Sequence, residues 1–132
     1  MAGVQRLMTY LDTNVVVWLY AGKLDRLSQA AISTIEDANQ LLLSPMVELE
    51  LEYLFDIKRL TKPATDVLLT LRQDLPLHFC NRAMLDVIKV SKSIKWTRDP
   101  FDRIITAQAS LSGGLLVTAD RNIQQHYELA IW

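Results

Sequence analysis

The chain has 132 residues, half of them apolar and 22% charged, with eight glycines and prolines together. That length makes one domain with a substantial core, and the apolar content excludes a disordered chain. Fourteen Lys and Arg stand against fifteen Asp and Glu, a net charge of −1, which excludes nucleic-acid binding by bulk positive charge but leaves room for a local basic strip. The lone cysteine, Cys80, excludes a disulfide framework and suits a reducing compartment. Cys80, His78 and His126 show no zinc-ligand spacing. The longest apolar run, Val15 to Ala21, falls far short of the ~20 residues that span a bilayer, and no export signal precedes Asp12. A cytoplasmic location is expected. Residues 1–7 read as an N-terminal extension or tag remnant ahead of a start at Met8, and residues 8–132 as a single domain.

In chain order, Met8 to Leu11 reads as a short buried strand ending at Asp12-Thr13-Asn14, where cap-type residues open a helix through Tyr20 to Gly22. Leu24, Leu27, Ala31 and Ile35 set a second helical period, and Leu41 to Leu43 is a second buried strand. Ser44-Pro45 starts a helix with Ser as cap and Pro at the first position, running to about Leu60. Pro63 opens another helix to about Asp74, and Asn81 caps one that runs through Ile88 to about Ser93. Asp99-Pro100 repeats the cap-then-proline signal, and Gly113-Gly114 ends that helix. Leu115 to Thr118 is a strand, Asp120 opens a short helix or turn through Tyr127, and Leu129 to Trp132 is a terminal strand. Short apolar strands alternating with helices predict an α/β fold whose parallel sheet is covered on both faces.

Position sorts the fifteen acids. On a helical wheel, Glu50 lies among Met46, Val47, Tyr53, Leu54 and Ile57, whereas Glu48, Glu52 and Arg59 lie opposite. The wheel thus predicts Glu50 in the middle of an apolar face, with Glu48 and Glu52 solvated. A carboxylate so placed needs compensation, by a cation or by a buried Lys or Arg. Asp102 shares a helix face with Ile105, Thr106 and Ala109 and points inward, while Asp99 reads first as an N-cap. Asp12 and Asp120 each follow a short buried strand, and ligands of open parallel sheets bind outside the carboxyl ends of the strands. Each could be a simple helix cap. If the two strands are parallel neighbours, all four carboxylates can converge on one edge. Four carboxylates in one hollow repel unless divalent cations sit among them, and Mg²⁺ or Mn²⁺ on oxygen ligands suits phosphodiester hydrolysis.

These residues resemble a known family. Tyr10-Leu11-Asp12-Thr13-Asn14, Ser44-Pro45 with Glu50, Arg98-Asp99-Pro100-Phe101-Asp102-Arg103 with Ala107 and Ala109, and Leu116-Val117-Thr118-Ala119-Asp120 together resemble the PIN domain, and within it the VapC-type ribonuclease toxins. The resemblance implies a PIN-like three-layer sandwich with a short, mostly parallel central sheet. It further implies a Mg²⁺- or Mn²⁺-dependent endoribonuclease whose metal site is Asp12, Glu50, Asp102 and Asp120. Asp99 would line the site as a ligand or one step behind it, and Thr13, Asn14 and Thr118 would support the carboxylates by hydrogen bonding. The chain departs from the family where Trp96-Thr97-Arg98 stands in place of a frequent His.

Lys89, Lys92, Lys95, Arg98 and Arg103, with Trp96 among them, form a candidate strip for single-stranded RNA. Arg98 and Arg103 flank the acids as the foremost phosphate contacts. The apolar content suits a homodimer and a partner laid across the surface, and the resemblance implies a cognate antitoxin that blocks the acidic site. The segments from Leu24 to Ile35 and from Met46 to Leu60 are its candidate walls. The competing reading from another class is a PIN-like module that binds RNA or protein without cutting. A haloacid-dehalogenase phosphatase would need an Asp where Asn14 stands, and no phosphate-binding GxxxxGK loop is present.

Overall fold

The computed structural model describes residues 8–132, and the expected N-terminal extension at residues 1–7 lies outside them. Strands β1 (Thr9–Leu11), β2 (Leu41–Leu43), β3 (Leu77–Phe79), β4 (Leu115–Val117) and β5 (Ala130–Ile131) form one sheet. Its order is β3-β2-β1-β4-β5, and every pairing is parallel. The sheet expected to be mostly parallel is wholly so. Helices α1 (Thr13–Tyr20), α2 (Gln29–Asp37), α3 (Pro45–Asp56), α4 (Ala64–Arg72), α5 (Met84–Ser93), α6 (Pro100–Leu111) and α7 (Arg121–His126) carry the chain between strands. Among the described residues no helix is long and apolar enough to cross a membrane.

β1 and β2 are buried residue for residue, which explains runs such as Leu41-Leu42-Leu43 without polar alternation. Tyr10, Leu11, Val15, Val16, Leu41, Leu43, Val47, Leu51, Ile105 and Leu116 join in the main core cluster. Gly114 sits where β4 meets β1: a Cβ there would lie 2.8 Å from the Met8 carbonyl oxygen and 3.0 Å from the Tyr10 ring. A larger residue would push the two strands apart just before they deliver Asp12 and Asp120.

The structure corrects several expected boundaries. β3 is an addition to the expected elements: it is a three-residue edge strand in which only Leu77 is buried, so it shows neither an apolar run nor a full alternation. Its pairing keeps the chain extended to Cys80, whose N–H bonds the Leu43 carbonyl at 2.7 Å. The next helix therefore starts past Asn81, and its cap position, Ala83, makes no side-chain cap bond. The helix expected from Leu24 to Ile35 is two pieces, a 3₁₀ turn at Leu24–Arg26 and then α2, which Ser28 caps through the Ala31 N–H. α3 stops at Asp56 because Lys58 adopts φ 64°, with Lys58 N–H bonded to the Phe55 carbonyl and Arg59 N–H to the Leu54 carbonyl. That is a Schellman ending with lysine in place of the usual glycine, which hides the stop in the sequence.

Candidate metal centre at the carboxyl edge of the sheet

The topology puts the acids together. β2, β1 and β4 are adjacent and parallel, so their carboxyl ends open on one edge. β1 runs straight into Asp12, β4 leads through Thr118 to Asp120, and β2 leads through Ser44 into α3 with Glu50. Three of the acids also cap helices. Asp12 caps α1, Asp99 caps α6 through the N–H groups of Phe101 and Asp102, and Asp120 caps α7 through the Ile123 N–H at 2.9 Å. Capping and convergence are thus one arrangement: a parallel sheet aims helix N-termini at the edge where its strands end, and caps are where carboxylates belong.

Asp12 is the most deeply placed of the four expected ligands, 6% exposed. Its Oδ1 accepts from the Thr13 N–H at 2.8 Å and its Oδ2 from the Thr118 hydroxyl at 2.6 Å. Thr118, fully buried, also serves Asp120, because its Oγ1 accepts the Asp120 N–H at 3.0 Å. One hydroxyl therefore sets Asp12 and Asp120 relative to each other. The Thr13 hydroxyl donates to Glu50 Oε1, so Thr13 joins α1 to α3 across the hollow. Asn14 is exposed and bonds no carboxylate among the described residues.

The electrostatics are those of acids without counter-charge. Burial pushes the Asp12 carboxyl above its ordinary value, against the Thr118 and Thr13 bonds that lower it, and nearby Asp120 and Asp99 add to the rise. Burial likewise raises Glu50, with further repulsion from Asp12 and Asp99. Asp102 is pushed up to about 7, first by burial and then by Asp12, Asp99, Asp120 and Glu50. Five carboxylates therefore act on one another across a single hollow. No lysine or arginine is among the groups that shift Asp12, Glu50 or Asp102, and the salt bridge weighed for Glu50 is not formed among the described residues. Among the described residues, however, no three His, Cys, Asp or Glu side chains already stand as a group that could hold an ion.

The helical wheel brings Glu50 to the fore but overstates the apolar face around it. The buried stripe of α3 is Val47 and Leu51, while Tyr53 is 52% exposed and Ile57 43%. Glu50 stands at the border of the buried stripe, half-buried, where a side chain can reach the hollow. Glu48 and Glu52, expected to be solvated, are both half-buried, and Glu52 Oε1 accepts the Ala64 N–H at 3.0 Å, at the start of α4. The basic residues divide as well. Lys89, Lys92, Lys95 and Arg98 are exposed, whereas Arg103 is half-buried with its Nε bonded to the Thr97 carbonyl at 2.9 Å. Trp96 is half-buried, with its ring stacked on His126, a pairing that a separation of thirty positions conceals in the sequence. Exposed Arg121, beside Asp120, reads in the sequence as an ordinary surface charge, and nothing there sets it apart.

Comparison with known proteins agrees with this fold. The PIN domain family model matches residues 9–129. Ribonuclease VapC22 of Mycobacterium tuberculosis (strain ATCC 25618 / H37Rv) is 33% identical over 119 residues, which is 88% of this chain and 89% of that protein. Among solved structures, a toxin–antitoxin complex from Klebsiella pneumoniae aligns with a TM-score of 0.67 at 17% identity, covering 94% of this chain and 96% of that one. VapBC2 from Rickettsia felis, bound to a DNA fragment from its promoter, aligns with a TM-score of 0.64 at 16% identity over the same shares. At those identities the two structures speak for the fold. Motif order, sheet topology and a family match over nearly the whole chain agree, and this chain belongs to the PIN domain family, alongside the VapC ribonucleases.

Proposed function

We propose that the chain is a divalent-cation-dependent endoribonuclease, held in check by a cognate antitoxin. The observation that carries this reading is the uncompensated acidic hollow, in which Asp102 is driven to about 7 by burial and four other carboxylates. Such a cluster is unfavourable as it stands and becomes favourable around a hard cation. Asp12, Glu50, Asp102 and Asp120 would hold Mg²⁺ or Mn²⁺, with Asp99 at the rim. A bound ion supplies charge neutralisation and Lewis acidity at a scissile phosphodiester. The chain's own part is orientation: Thr118 fixes Asp12 against Asp120, and Thr13 fixes Glu50. Arg98, Lys92 and Lys95, all exposed, would draw in the RNA backbone, with Arg103 steadying the turn before Asp99 through Thr97.

The antitoxin reading is supported by the kind of protein this fold aligns with, since the matched structures are toxin–antitoxin complexes. A homodimer and a cytoplasmic location belong to the same reading. α3 offers a surface for a second chain: Leu49 and Tyr53 stand more than half exposed on it, beside the half-buried Glu50. The deciding experiment incubates the partner-free chain with total cellular RNA and Mg²⁺ or Mn²⁺, beside Asp12→Asn and an EDTA control. Discrete fragments from wild type alone are expected, with Asp12→Asn losing cleavage while keeping a cooperative melt. Cleavage that survives Asp12→Asn would take catalysis away from the carboxylate hollow, and no cleavage together with no metal-induced thermal shift would move the chain to the non-catalytic class.

A further inference from the structure

We propose that Trp96 and His126 form a stacking platform for one nucleobase of the RNA, beside the carboxylate hollow. This assignment rests on the ribonuclease reading and adds how the strand is gripped. The indole and imidazole ring centres lie 5.0 Å apart with planes only 5° from parallel. His126 is exposed even though Trp96 covers one of its faces, so the opposite face meets solvent. A base landing there would extend a stack of two rings into a stack of three, the kind of contact that holds single strands with little regard to sequence.

The platform is built in advance. His126 Nδ1 is tied to the Asn122 carbonyl at 2.8 Å, and the Asn122 side-chain amide donates to the Trp96 carbonyl at 3.0 Å. Trp96 also packs against both core clusters. Neither ring needs to be ordered when a base arrives, which removes part of the entropic cost of binding. A brace between this loop and α7 is already supplied by the Asn122 amide. Bracing gives no reason for a second flat ring laid on the indole with its outer face open.

The location fits a strand whose phosphate reaches the acids. Trp96 lies three residues before Asp99, in the stretch that delivers α6, and His126 ends the six-residue helix that Asp120 caps. That helix is about 9 Å long. Lys95, Arg98 and Arg121 are exposed on or beside the same two segments, with exposed Lys92 in the last turn of α5 just before them, and they supply the positive charge that phosphates need.

The test takes the full chain and an oligoribonucleotide spanning a cut mapped in total RNA, with one fluorescent adenine analogue placed in turn on either side of the cut. Bound to non-cleaving Asp12→Asn protein, the analogue should be quenched at one position, and adding His126→Ala should abolish that quenching. In the cleaving chain, His126→Ala should raise KM about tenfold with the loss confined to KM, and His126→Phe, which keeps a flat ring, should restore it. Unchanged KM in His126→Ala, unchanged quenching, or failure of His126→Phe to restore KM would each overturn the platform while leaving the ribonuclease standing. A wild-type chain that neither cuts nor binds RNA would overturn the ribonuclease reading and the platform with it.

Discussion

Thr118 is the residue on which the acidic hollow turns, because its hydroxyl donates to Asp12 and accepts from the Asp120 N–H. Thr118→Val keeps the volume and removes both bonds. It should destabilise the metal-free protein by about 1–3 kcal/mol, since Asp12 is left buried with one partner fewer. Thr118→Ser, which keeps the hydroxyl, should recover most of the loss. Thermal unfolding in EDTA measures both, and a Thr118→Val melt equal to wild type would mean that the bond does not hold Asp12. At this scale the sequence is legible wherever a residue's place follows from its own element. Asp12 and Asp120 stand at strand ends, and Asp99 precedes a helix-opening proline. It is not legible where the partner is remote in sequence, as for Trp96 with His126 or Glu52 with the Ala64 N–H.

At the scale of elements, α3 and α4 are joined by a cap that no local pattern reveals. Pro63 occupies the cap position of α4 and makes no side-chain cap bond, so Glu52 of α3 supplies the acceptor. Glu52→Ala should cost about 0.5–2 kcal/mol, the ordinary range for a lost N-cap. Glu48→Ala, on the same helix, should cost less. Denaturant titration of the two variants side by side checks this, and equal midpoints would count against the cap. The helix starts are readable because Ser44-Pro45 and Asp99-Pro100 carry their own chemistry. The ends are less so: Lys58 in a left-handed conformation terminates α3 as a glycine would, and nothing in its side chain announces it.

At the scale of the whole molecule, the carboxylates couple stability to pH and metal. Asp102 rises from 3.8 to about 7, and Asp12 and Glu50 rise with it. Between those values the native chain binds more protons than the unfolded one, so the metal-free protein should lose stability as pH climbs through that window. A divalent cation competes with those protons and favours the ionised acids. The melting temperature in EDTA should therefore fall as pH rises from about 4 to about 7 and level off above, while Mg²⁺ should raise it most at the upper end. Melting curves across pH with and without Mg²⁺ give the comparison, and parallel profiles would show that the acids do not share a cation. The sequence alone determined most of the strand and helix types, the parallel α/β class and which acids lie at element ends, because hydrophobic period, caps and prolines are local signals. Only the tertiary structure decided that β1, β2 and β4 are neighbours, that five carboxylates act on one another without counter-charge, and that Trp96 lies on His126. Those are contacts between distant residues, fixed by strand pairing and packing rather than by any residue's own preference.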